Sequence, residues 1–219
     1  MDPKQIFDAL LRRFGPQHWW PGDTPFEVMV GAILTQQTSW SNVEKAIANL
    51  KAADALCPEH IASMELDELE LLIRPSGFYR QKALYLRDFC RYLMNACSGD
   101  LDILFSRPLE DLRVEFLSQR GIGPETADSM LLYAGAKPTF VVDAYTIRIC
   151  RRIGLLDTEK YDAAKAFFEK VLPADAKLYN EYHALLVKLG KEFCRPKNPR
   201  CRACPMMESC VHARAETEE

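Results

Sequence analysis

No apolar run in this sequence is long enough to cross a bilayer, which excludes a membrane-spanning helix as its organising feature. Sustained period-two alternation is also missing, so a half-exposed β-sheet leaves no signature here. There is no solenoid repeat and no low-complexity segment, which removes repeat arrays and long linkers from consideration. No signal-peptide pattern opens the chain, and an oxidised disulfide framework is therefore not expected of its eight cysteines. Net charge is low as well, at −3 over 219 residues, and taken alone would argue against a polyanionic partner. Its distribution reverses that argument. Residues 144–214 carry fourteen Lys or Arg against eight Asp or Glu, a local excess of +6 that leaves a basic C-terminal part able to track phosphates.

What the sequence does have is helix after helix. Apolar residues recur at helical spacing over 6–14, 26–34, 43–50, 66–73, 81–94, 109–118, 124–133, 144–153, 161–171 and 176–189, and the expected fold class is all-α. A Pro/Gly cluster over 15–25 breaks the first helix from the second. A domain boundary is expected near 136–143, where the turn-like Lys137-Pro138 follows one helix and a short apolar run precedes the next.

The strongest chemical signal lies near the C-terminus. Cys194, Cys201, Cys204 and Cys210 are spaced C-x6-C-x2-C-x5-C in a Pro-rich stretch, CRPKNPRCRACPMMESC. Four thiolates on one short loop suit a soft metal, either an iron-sulfur cluster or structural zinc, although zinc sites usually present two close Cys pairs. Cys57, Cys90, Cys97 and Cys150 are scattered in apolar contexts and read as buried free thiols.

A second motif precedes the boundary. Gly121-Ile122-Gly123 leads directly into Pro124 and Glu125, a glycine-bearing turn before a helix with Pro at its first position and an acid in its first turn. Backbone N–H groups exposed at such a helix start can hold a phosphate. Asp143 follows twenty residues later, at the end of an apolar run.

These three elements in this order resemble the endonuclease III superfamily of helix-hairpin-helix DNA glycosylases, over nearly the whole chain. FEVMVGAILTQQTSW resembles the family helix and loop that contribute a DNA-wedging glutamine, here Gln37 with Gln36 as the alternative; RPSGFYRQKA resembles its glycine-aromatic turn; YHALLVKLGKEFC resembles the helix entering the cluster loop. The resemblance implies two helical domains with DNA in the cleft between them. One is a six-helix domain over 22–138 with the helix-hairpin-helix motif; the other combines 1–21 with 139–219 and carries a [4Fe-4S] cluster on Cys194, Cys201, Cys204 and Cys210 in the loop 194–210. It further implies a catalytic Asp143 and DNA contacts from Gly121, Gly123, Glu125 and Thr126; Arg200 and Arg202, which with Arg195 and Lys197 interleave with the cluster cysteines, are expected to grip phosphates. A cytoplasmic, nucleoid-associated monomer acting on damaged duplex DNA is expected.

Within the superfamily the chain is similar to the 3-methyladenine DNA glycosylase III type, in WWP, in LTQ-x-T followed by an aromatic, in GIG-x-E-T-AD and in VVD-x-Y. Members of that branch lack the cluster cysteines, which this chain retains. The likeness implies an aromatic clamp for a cationic purine, with Trp20, Trp40 and Trp19 as its rings and His18 as a polar contact. His183 reads instead as an ordinary helix histidine. Bifunctional members carry a lysine where this sequence has Glu125, and a carboxylate cannot form a Schiff base. Lys82 and Lys137 are the other amines considered for a lyase step. The expected activity is monofunctional removal of a damaged, alkylated purine. The alternatives are a glycosylase for mismatched or deaminated bases, a bifunctional glycosylase/lyase, and a non-catalytic binder of damaged DNA.

Overall fold

The computed structural model describes residues 2–19 and 22–217, the side chains of 216 and 217 excepted, and among these it contains thirteen α-helices and no strand. The chain divides into two compact units, Trp20–Lys137 and the paired segments Met1–Trp19 and Pro138–Glu219. Among the described residues no helix is long and apolar enough to cross a membrane.

In the unit Trp20–Lys137, α2 (Pro25–Leu34) is the central helix. Nine of its ten residues are buried, and all of these but Glu27 are apolar or glycine, so its burial is not confined to one stripe, as befits a helix surrounded by others. Thr24 caps its start by accepting from the Glu27 N–H at 3.1 Å, and the buried Glu27 carboxylate is answered by Lys51 Nζ at 2.9 Å. Around it run α3 (Trp40–Ala52), α4 (Pro58–Ser63), α5 (Leu66–Ile73), α6 (Tyr79–Cys97), α7 (Leu101–Phe105), α8 (Leu109–Ser118) and α9 (Pro124–Ser129). Met29 and Ile33 meet Leu86, Phe89, Phe116 and Leu131 in one core, and each such side chain contributes about 1.5–3 kcal/mol by leaving water. Phe89 and Phe116 pack edge to face at 5.5 Å, which joins α6 to α8.

The other unit comprises α1 (Pro3–Phe14), α10 (Ala144–Ile153), α11 (Tyr161–Val171), α12 (Ala176–Glu192) and α13 (Val211–Thr217). Its centre is aromatic. Phe140 stacks on Phe168 at 4.2 Å, and Tyr182 meets both rings edge-on. The buried Tyr182 hydroxyl donates to the Pro3 carbonyl at 2.8 Å, so α12 holds the start of α1 across 179 residues of sequence. Helices α10 and α12 approach closely at Gly190, where a Cβ would overlap the Tyr145 ring.

Every helix expected from periodicity is present, and three were not anticipated. α4, α7 and α13 span six, five and seven residues, too few turns for an apolar stripe to register. The stretch expected as a single helix over 124–133 is α9 followed by a π-helical turn, Met130–Ala134, in which the Gly135 N–H reaches back to the Met130 carbonyl at 3.1 Å.

Candidate active site

The segment 139–142 is fully buried, and it delivers Asp143, in an extended backbone, to the N-cap of α10. Asp143 Oδ1 accepts from the Thr146 N–H at 2.7 Å and from the Thr146 hydroxyl at 3.0 Å, the ordinary use of an Asp at a helix start. Its second oxygen is used differently. Oδ2 lies 3.4 Å from His183 Nε2 on α12, and only 11% of the Asp143 side chain is exposed. Burial would raise the Asp143 carboxyl, but the His183 charge and hydrogen bond, with the two Thr146 donors, outweigh it and hold the carboxyl below its ordinary range. Asp143 is thus a nearly dry carboxylate kept ionised. Burial, and then the nearby Asp143 charge, push the Cys150 thiol up to about 12, so it stays protonated. Sequence reading missed His183 because its partner lies forty residues away, and one His on an apolar face carries no local signal.

The hairpin turn between α8 and α9 is shaped by Gly121, which sits at φ +80 with the ring of Tyr85 where a Cβ would project. Gly123 faces open space, and Glu125 is exposed in the first turn of α9. Thr126 is turned inward: it is 8% exposed, and its hydroxyl accepts from Gln36 Nε2 at 3.2 Å. The same Gln36 nitrogen donates to the Gly121 carbonyl at 3.0 Å. Arg113 on α8 grips the fully buried Asp128 on α9 through Nε at 2.9 Å and Nη2 at 3.1 Å, locking the two helices of the hairpin together.

Gln36 therefore tethers the loop that carries Gln37. Gln37 itself is exposed, in a left-handed backbone with φ +54 that a Gln adopts only at a cost. Trp40 is half-buried at the start of α3 against the core, with its indole N–H donating to Glu44 at 3.0 Å. A residue the sequence reading passed over is Phe78, which is 64% exposed at φ +45 at the N-cap of α6. A large ring held in solvent by unfavourable backbone is a feature of contact surfaces; its place after a glycine in the GFY turn was the available signal.

In the other unit His18 is exposed with φ +50, and the half-buried Trp19 has Lys191 Nζ 5.6 Å from its ring. Trp20 lies outside the described residues. The two amines considered for a lyase step are both engaged. Lys82 Nζ is buried and donates to the carbonyls of Leu34 at 2.8 Å and Ser76 at 2.7 Å, and burial draws its pKa down to about 8. Lys137 Nζ donates to the Arg107 carbonyl at 2.9 Å.

Cys194, Cys201, Cys204 and Cys210 are free thiols on a loop built of two 3-10 turns, Cys201–Ala203 and Met207–Ser209. Arg152 of α10 serves this loop rather than the surface: Nη1 lies 3.5 Å from Cys194 Sγ and 2.6 Å from the Arg195 carbonyl, and Cys210 Sγ donates to the Arg152 carbonyl at 3.2 Å. Burial raises the Cys204 thiol, and the neighbouring Cys194 and Cys210 raise it further. Among the described residues no group of three or more His, Cys, Asp or Glu is gathered so as to hold a single metal ion. By donor type, four thiols beside an arginine suit an anionic thiolate-ligated centre. Arg200 and Arg202 are exposed on this loop.

A family model described as "HhH-GPD superfamily base excision DNA repair protein" matches residues 30–174. The chain is 46% identical over 215 residues to a protein of Methanocaldococcus jannaschii named "Putative DNA repair glycosylase MJ1434", with 94% of each covered. It is 30% identical to endonuclease III of Thermotoga maritima, over 94% of this chain and 91% of that one. Among solved structures, H. pylori 3-methyladenine DNA glycosylase (MagIII), bound to 1,N6-ethenoadenine, superposes with a TM-score of 0.76 at 33% identity, covering 88% of this chain and 98% of that one. A non-covalent endonuclease III–DNA complex gives a TM-score of 0.85 at 23% identity over the whole of both chains, a likeness of fold. The chain belongs to the HhH-GPD superfamily of base excision DNA repair proteins and is a DNA glycosylase of that superfamily.

Proposed function

We propose that the chain is a monofunctional glycosylase that removes an alkylated, cationic purine from duplex DNA, acting as a monomer and leaving an abasic site. The observation that carries this reading is the pairing of Asp143, nearly buried and held by Thr146 and His183, with a hairpin that presents Glu125 rather than an amine, while Lys82 and Lys137 are committed to carbonyls. A carboxylate beside a sugar that develops oxocarbenium character lowers the barrier by opposing its charge, and it can orient the attacking water. No step in that chemistry requires an amine. The likeness to MagIII at 33% identity supports the substrate class.

In this reading the exposed hairpin turn at Gly123 and Glu125 meets the DNA backbone, Gln37 and Phe78 enter the stack, and an aromatic surface, with Trp40 as the candidate ring in this unit, receives the extruded base. An alkylated purine carries positive charge and a π-face short of electrons, and aromatic rings favour it by about 1–3 kcal/mol per base stacked. Cys194, Cys201, Cys204 and Cys210 would hold a [4Fe-4S] cluster, which stiffens the loop presenting Arg200 and Arg202 to phosphates. The cluster supplies no chemistry to bond cleavage.

The test is base release from a panel of duplexes carrying 3-methyladenine, 7-methylguanine, uracil or thymine opposite guanine, read with and without alkali. Release confined to the alkylated purines, with strand breaks only after alkali, is the expected result. Preference for uracil or thymine would overturn the substrate class. Breaks without alkali would overturn the monofunctional reading, and tight binding without turnover would overturn both.

A further inference from the structure

We infer that His183 is a positioning residue for Asp143, aiming Oδ2 at the reacting sugar while Thr146 holds Oδ1. The inference rests on the reading of Asp143 as the charged group of the reaction.

The two carboxylate oxygens have separate duties. Oδ1 is consumed by the helix start, where the Thr146 N–H and hydroxyl both donate to it. A helix cap needs one oxygen, and that need is met. Nothing in capping requires a second polar group on Oδ2, yet His183 Nε2 stands 3.4 Å from it, with His183 only 5% exposed. Placing an imidazole in a helix–helix interface is unfavourable unless it faces a partner, so its presence there marks a demand made by the carboxylate.

The scaffold fixes this distance. His183 and Gly190 are seven residues apart on α12, two helical turns, and so lie on one face. Gly190 lets that face approach α10 so closely that a Cβ would overlap Tyr145, two residues beyond Asp143. The contact at Tyr145 thereby sets how far His183 stands from Oδ2. With Oδ1 pinned by the cap and Oδ2 steered by the imidazole, the carboxylate loses its freedom to rotate away from the sugar.

The experiment measures single-turnover base release, on the panel duplex from which the wild-type chain releases a base fastest, and affinity for an abasic-site analogue. His183→Ala should slow release about 10- to 100-fold, the range typical of losing a group that orients a reactive one, with affinity for the analogue unchanged within about twofold. His183→Gln, which keeps an N–H near the place of Nε2, should recover most of the rate. His183→Phe fills the space without a donor and should behave as Ala does, so an unstable Ala variant does not block the test. Wild-type rates in Ala and Phe, or a Gln variant as slow as Ala, would overturn the inference. Asp143→Asn in the same assay separates the two claims: full turnover there removes the role of Asp143 itself, whereas an inert Asp143→Asn beside a fast His183→Ala removes only that of His183.

Discussion

Gln36 donates its side-chain amide to the carbonyl of Gly121 at 3.0 Å, joining the loop between α2 and α3 to the hairpin turn across 85 residues of sequence. The loop that raises Gln37 into solvent and the turn that meets phosphate in the proposed mechanism are thus one mechanical piece. Gln36→Ala should cost about 1 kcal/mol of unfolding free energy, the net worth of such a bond, as read by urea denaturation. It should slow base release by about tenfold, because a misplaced wedge costs more in the reaction than in the fold. Gly121→Ala should destabilise more, by about 1–3 kcal/mol, since the added methyl meets both the positive φ and the Tyr85 ring.

Lys82 makes a prediction about pH. Its native pKa is drawn from 10.5 to about 8, so between those values the unfolded chain binds the proton and the native chain does not. Stability contributed by this group therefore rises with pH across that window and is lowest below pH 8. Buried Cys90 and Cys150, both raised, act in the opposite sense at alkaline pH. The difference between wild type and Lys82→Met isolates the lysine, and it should move in favour of wild type from pH 8 to about 10 in urea unfolding. A difference that is flat, or moves the other way, would mean that the amine is hydrated.

The cysteine loop makes a compositional one. Protein purified without oxygen should be yellow-brown and contain about four irons per chain, by the four-cysteine precedent for such clusters. Cys204→Ala should lose the iron and reduce solubility before it changes the chemistry of any protein that remains folded. A colourless protein with stoichiometric zinc would contradict the cluster.

The helices were legible in the sequence because each long one buries a stripe or a whole surface, and apolar spacing records that. Short helices were not, for α7 has five residues and α4 six, and their starts at Asp100 and Cys57 depend on capping and on neighbours. The candidate site divides in the same way. Asp143 and the four cysteines could be named because motif order and family likeness mark them. The roles of His183 and Gln36 could not be read, the first taken for an ordinary helix histidine and the second only for an alternative wedge, because each matters through a partner that the fold alone brings near. The Thr126 hydroxyl serves Gln36 from within, a contact no sequence spacing records.

Charge gives a further test. If Arg200 and Arg202 meet phosphates, affinity for an abasic-site duplex should fall steeply with salt, and Arg200→Ala should flatten the logarithmic slope by about one counterion. Arg152→Ala should act otherwise, because its guanidinium faces Cys194 and the loop carbonyls; it should loosen the cluster loop and lower iron content. A salt slope unchanged in Arg200→Ala would remove that residue from the contact.

The measurement closest to the central claim is single-turnover base release by Asp143→Asn, with borohydride present in a parallel reaction of the wild type. The substitution keeps the Oδ1 acceptor for Thr146, so the helix start survives while the charge is lost. Release should fall by about 10²-fold or more with DNA affinity largely retained, as when a fixed charge opposite a developing cation is removed. Borohydride should trap no covalent protein–DNA adduct with the wild type, since Glu125 offers no amine. Undiminished release by Asp143→Asn, or efficient trapping of the wild type, would contradict the account.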